Sequence, residues 1–131
     1  MIGAKPNLLL LLMVRNEAKI IQRCLEAAIS HVDAVIVVDT GSEDDTIDLV
    51  KKNCELPLKV VEHTWVDFGH NRTNSFEAAM EYAKDLEWDL TNSWVICQDA
   101  DMILCNTNLR EHIQYSRLDG YYLLQKNCNM E

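Results

Sequence analysis

Two aspartates held apart by one alanine, Asp99 and Asp101, close the apolar run in the stretch WVICQDADMIL (Trp94–Leu104). Residues two apart on a strand share a face, so both carboxylates can serve one ligand. Carboxylates suit hard cations such as Mg²⁺ or Mn²⁺, which take few protein groups and complete their shell with water and phosphate. An ion on Asp101 would bridge the chain to an anionic diphosphate and steady charge on a departing one. The spacing alone is weak, because chance gives about one Asp-x-Asp in a chain with this many aspartates. Its meaning rests on what surrounds it.

Two further polar clusters follow apolar runs in the same way. Arg15-Asn16-Glu17 follows Leu8–Val14, and Asp39-Thr40-Gly41-Ser42 follows Ala34–Val38. Asp39 could accept hydrogen bonds from a base or ribose, or could serve only its own turn. Glu17 could be merely a first-turn acid, Asp99 and Asp101 could cap the next turn, and Arg72 could be a surface ion-pair partner. Trp65 and Phe68 read as loop-packing residues. His31, His63, His70 and His112 match no ligand spacing and read as structural, with His70 set beside Arg72.

The elements that must position these groups follow from periodicity. Leu8–Val14 is continuously apolar, the pattern of a strand covered on both faces. Ile20, Ile21, Cys24, Leu25, Ala28 and Ile29 predict an amphipathic helix over Ala18–Ser30. Ala34–Val38 reads as a second buried strand, and Asp44 or Asp45 as the cap of a helix to Asn53. A strand over Leu58–Glu62, a loop over Trp65–Gly69 and a helix over Asn71–Leu86 follow, the last with Phe76, Met80 and Ala83 facing inward. Trp94–Gln98 reads as a fourth strand, then a short helix over Leu109–Tyr115 and a strand over Tyr121–Gln125. Alternating strands and helices predict an α/β fold with a mainly parallel sheet. Ligands of such sheets bind beyond the carboxyl ends of the strands, which is where the three polar clusters fall.

Composition narrows the function. With 131 residues the chain reads as a single domain, residues 1–131, with ordinary apolar content. A net charge of −9 with scattered cations argues against a nucleic-acid partner. Cys24, Cys54, Cys97, Cys105 and Cys128 show no zinc-site spacing; Cys24 and Cys97 read as core, and reduced thiols suggest a cytoplasmic protein. Leu8–Val14 is far shorter than the about 20 residues of a membrane span. Four glycines exclude the Gly-rich nucleotide loops, and no Gly-x-Ser-x-Gly elbow is present. The sequon at Asn71-Arg72-Thr73 carries no meaning in a cytoplasmic setting.

Four ordered pieces, MVRNEAKIIQRCLEAA, VDAVIVVDTGSEDDT, FGHNR and QDAD, resemble the family 2 glycosyltransferases of GT-A fold, from Leu8 to about Leu104. The resemblance implies a Rossmann-like, GT-A-type sheet flanked by helices. Met13, Val14, Arg15, Asn16 and Glu17 would cradle the base of a nucleotide-sugar donor and Asp39 would read it. Arg72 would lie near base or phosphate, Asp99 would serve the ribose and Asp101 the metal, with Ala100 between them. The implied chemistry is metal-dependent (Mn²⁺ or Mg²⁺), inverting transfer from a nucleotide sugar, most often a UDP-sugar, to an acceptor hydroxyl.

One departure stands out. The family's catalytic base lies well downstream of Asp-x-Asp, whereas Glu111, Asp119 and Glu131 are the only later acids here and sit in no matching motif. The expectation is a domain truncated to the donor-binding half, lacking the acceptor-binding half. The rival readings are a non-catalytic nucleotide-sugar module or slow UDP-sugar hydrolase that needs a partner for its base, and a scaffold whose acidic rim is only solvated. An unfinished sheet edge would favour a homodimer.

Overall fold

A computed structural model describes residues 5–105 and 108–114. The order is β1 (Asn7–Val14), α1 (Ile21–Ala28), a 3₁₀ turn (Ile29–His31), β2 (Ala34–Asp39), α2 (Thr46–Asn53), β3 (Leu58–Glu62), α3 (Phe68–Asp85), a second 3₁₀ turn (Leu90–Asn92), β4 (Ser93–Gln98) and α4 (Leu109–Gln114). The four strands form one sheet in the order β3-β2-β1-β4, and every pairing is parallel. The strand expected over Tyr121–Gln125 lies outside the described residues.

The continuous apolar run of β1 is explained by its central place. Leu8, Leu10, Leu12 and Val14 turn to one face, where they pack with α1, α2 and α4 through Ile21, Leu25, Val50 and Ile113. Leu9 and Leu11 turn to the other, against Ala79 and Tyr82 of α3. A strand buried on both faces has no polar positions to spare, so period two disappears from its sequence. All six residues of β2 are buried for the same reason.

Three expectations need correction. The third helix starts at Phe68, earlier than Asn71, because the Asp67 carboxylate accepts the His70 N–H at 2.7 Å and caps it; Phe68 and Gly69 are therefore helical, not loop. Its inner face carries Asn71, Ser75, Ala79, Tyr82 and Ala83, while Phe76 and Met80 point outward and are exposed. Small residues there let the helix lie close to the sheet. Cys97 is exposed, unlike the fully buried Cys24, because β4 is the outermost of the described strands on its side and α3 covers β1 and β2 instead.

At the amino ends of the strands, Arg110 of α4 reaches both oxygens of Asp33, at 2.8 and 3.0 Å. The same carboxylate accepts the Leu8 N–H at 2.8 Å. This pair ties the last described helix to the start of β1, at the end of the sheet remote from the three polar clusters.

Candidate functional site

The parallel pairing brings the strand exits onto one rim. Val14 pairs with Asp39, and Leu12 with Gln98, so the segments after β1, β2 and β4 leave the sheet side by side. Between β1 and β4 the strand order reverses direction, the place where open α/β sheets bind ligands.

The loops after β1 and β2 are locked to each other. Asn16 donates its N–H to Ser42 Oγ at 3.0 Å, and its side-chain oxygen accepts the Glu43 N–H at 2.7 Å. Glu17 N–H donates to Thr46 Oγ1 at 2.8 Å, and Ala18 N–H to Asp44 Oδ2 at 3.3 Å. The buried Thr46 in turn donates its N–H and hydroxyl to Asp44 Oδ1. That hydroxyl, chiefly, holds the Asp44 carboxyl below the usual aspartate range. Asp45, at the start of α2, makes no side-chain cap. The run Ser-Glu-Asp-Asp-Thr is thus mainly a clamp on the Arg15–Ala18 loop, a role that the sequence reading missed.

Asp39 is buried and its Oδ1 accepts the N–H groups of Gly41 (3.4 Å) and Ser42 (3.0 Å). The turn role is therefore real, and Oδ2 makes no hydrogen bond to the described residues. Gly41 sits at φ 118°, a left-handed conformation that side chains resist. Asn16 adopts φ 53°, for which asparagine is among the better suited residues.

On the β4 side, Ala100 packs into the core while Asp99 and Asp101 on either side of it are exposed. Gln98, buried behind them, donates its amide to Met102 O at 3.3 Å and to Cys24 Sγ at 3.2 Å. It thereby secures the turn closed by Met102 N–H on Asp99 O at 3.0 Å. The acids reach across the rim electrostatically. Glu17 has its pKa raised, first by burial and then by the negative charges of Asp101, Asp99 and Asp44. Among the described residues no three His, Cys, Asp or Glu side chains converge to hold an ion by themselves.

Arg72 lies on α3 with its guanidinium 4.9 Å from the Phe68 ring centroid and its Nη1 donating to Cys97 Sγ at 2.6 Å. Its Nε is buried without a partner. Partial desolvation raises the Cys97 thiol pKa, Arg72 opposes that, and the charge of Asp99 adds to it. Arg72 therefore stands at the β4 exit.

A hollow of about 240 Å³ opens at the β1 and β2 exits, lined by Met13, Val14, Arg15, Glu17, Thr40 and Trp65. Four of the expected base-cradling residues meet there. Asn16 does not, being turned to Glu43, and neither Arg72, Asp39, Asp99 nor Asp101 lines it. Trp65 does, although its sequence context reads as loop packing. His70 turns its ring to Asn74, at 3.0 Å, and Asn71 of the sequon is fully buried. A second hollow, of about 340 Å³, lies at the opposite end of the sheet between Lys5, His31, Arg110 and Glu111, where Arg110 is already paired with Asp33.

Comparison with known proteins gives the family. The sequence model described as glycosyl transferase family 2 matches residues 10–125. The chain is 30% identical over 119 residues to the SPbeta prophage-derived glycosyltransferase SunS of Bacillus subtilis (strain 168), covering 89% of this chain and 25% of that protein. It is 32% identical over 100 residues to a TPR repeat-containing protein of Synechococcus elongatus, covering 76% and 21% respectively. With an uncharacterized glycosyltransferase of Rickettsia felis it shares 31% over 104 residues, covering 79% and 31%. The chain thus spans between about a fifth and a third of the length of these relatives.

Proposed function

The chain belongs to glycosyl transferase family 2, and from that premise we propose that its rim binds a nucleotide-sugar donor, a UDP-sugar, with a divalent ion at the β4 exit, for inverting transfer of the sugar to an acceptor hydroxyl. The observation that carries the reading is the parallel register that brings the exits of β1, β2 and β4 onto one rim, where Glu17, its pKa raised first by burial, also feels the charges of Asp101 and Asp99. It puts the acids of the β4 exit within electrostatic reach of the hollow, so one elongated ligand can touch both.

The donor atoms fit a hard cation. Two exposed carboxylates, with no third ligand converging among the described residues, suit Mn²⁺ or Mg²⁺, which keep open positions for water and phosphate; a closed zinc site needs four ligands. Asp101 and Asp99 would hold the ion, which when bound stabilises negative charge on the leaving diphosphate. The chain's own residues do the rest. The hollow takes the base, Asp39 Oδ2 accepts from base or ribose, and the Asp44–Thr46 clamp keeps the Arg15–Glu17 loop in place before the donor arrives. Such preorganisation spares ordering cost on binding. Attack by an acceptor hydroxyl on the anomeric carbon, from the side opposite the diphosphate, inverts the centre.

A second reading, a donor-binding module or slow hydrolase, is favoured by one observation. Glu111, the one described acid after Asp101, lies at the opposite end of the sheet beside Lys5 and His31, where it cannot reach an acceptor at the rim. Free UDP release from a UDP-sugar separates the two: release that rises with added acceptor supports transfer, and slow acceptor-independent release supports the second reading. The donor site itself is tested by calorimetry. UDP binding that weakens on addition of EDTA is expected; absence of UDP binding rejects the donor site, and indifference to EDTA rejects the metal. No described helix is long and apolar enough to cross a membrane. The proposed homodimer rests on β4, the last strand of the sheet among the described residues, on which Val95 is 40% exposed.

A further inference from the structure

We infer that Trp65 is the aromatic wall on which the nucleobase of the donor stacks, a specificity role resting on the donor-site reading above. Three independent observations meet on this residue. It lines the hollow with Met13, Val14 and Arg15, as the largest side chain there. It is 45% exposed, on a loop between β3 and α3 whose residues from Thr64 to His70 are exposed as well. Its backbone is also held on both sides by one side chain: Asn71 accepts the Val66 N–H at 2.8 Å and donates to Thr64 O at 3.1 Å.

That clamp is the telling part. Asn71 is fully buried, and it spends both ends of its amide on the residues that flank Trp65. A buried amide must be satisfied, but here satisfaction also fixes the backbone on both sides of a large apolar side chain that is left half in water. An indole that merely packed the loop would be covered by it. Anchored through its backbone and left open, it is a platform, and an aromatic side chain with two χ angles gives contact area at little entropic cost on binding.

The occupant follows from size and place. The hollow is smaller than the about 300–1,000 Å³ that hold a whole ligand, so it takes one fragment of a longer molecule. It lies at the β1 and β2 exits, while the carboxylates proposed to face the diphosphate lie at β4. The fragment at Trp65 is therefore the end of the donor remote from the diphosphate–sugar bond, a flat base with π-faces that stack on indole.

The test compares the 131-residue chain with Trp65→Ala and Trp65→Phe, titrating each with UDP and with inorganic pyrophosphate in Mn²⁺. Trp65→Ala is expected to weaken UDP at least about tenfold, Trp65→Phe to recover most of that loss, and pyrophosphate affinity to stay unchanged in both. UDP affinity unaltered in Trp65→Ala, or a parallel loss of UDP and pyrophosphate, overturns the inference while the donor site stands. Absence of UDP binding to the unsubstituted chain overturns both.

Discussion

The guanidinium of Arg72 bridges from α3 to β4, donating to Cys97 Sγ at 2.6 Å while lying over the Phe68 ring. This contact holds a cation two residues before Asp99, with the inward-facing Nε unpaired. A positive charge fixed near two carboxylates, in a chain of net charge −9, is well placed to meet an anionic ligand.

Arg72→Ala is therefore expected to weaken UDP binding by about 1.5–3 kcal/mol, the worth of a hydrogen bond to a charged group. Cys97→Ser, which keeps an acceptor for the guanidinium, should leave the affinity nearly unchanged. Calorimetric titration of both variants checks this, and equal affinity in Arg72→Ala would reduce the residue to a strut between α3 and β4.

The clamp on the Arg15–Ala18 loop gives a pH prediction. Asp44 titrates below its ordinary value because Thr46 donates to it, so the unfolded chain binds the proton more readily. Its contribution is present in full above about pH 4, the ordinary aspartate value, and is lost as pH falls through the lower folded value. Unfolding midpoints of the parent and Asp44→Asn should differ by a constant amount near neutrality and converge in strong acid. A gap that persists there would contradict the ionised-clamp account.

Backbone geometry at the β2 exit sets a further expectation. Gly41→Ala must place a Cβ on a residue at φ 118° and should cost about 1–2 kcal/mol of stability. Leu10→Ala, in the centre of the core, should cost about 2–5 kcal/mol. Denaturant midpoints measure both. Donor affinity should fall in the glycine variant, whose turn is held by Asp39, and remain unchanged in the leucine variant at temperatures where it is folded.

Much of the fold was legible because burial on two faces and burial on one face write different patterns. Leu8–Val14 and Ala34–Val38 read as buried strands, and the observed strands Asn7–Val14 and Ala34–Asp39 differ by one residue each. What escaped were features decided by tertiary position. Phe76 and Met80 have helical spacing, yet α3 turns a face of small residues to the sheet, a choice set by how close the helix must lie. Cys97 alternates like a core residue on a strand that is outermost among the described ones. The early start of α3 had a local signal, Asp67 three residues before His70, which the search for apolar periodicity passes over. At the site, residue types pointed to the rim, but the division of labour did not show. Asn16 and Asp44 are spent on holding loops, and Trp65 lines the hollow on a loop whose flanks are tied by a residue six positions later.

The most direct test is a pair of UDP titrations, with Mn²⁺ and with EDTA, on the parent chain and on Asp101→Ala. The account predicts that metal strengthens UDP binding to the parent and that Asp101→Ala abolishes this gain, leaving both of its affinities at the parent's EDTA value. A variant that still binds UDP more tightly in Mn²⁺, by as much as the parent does, would contradict it.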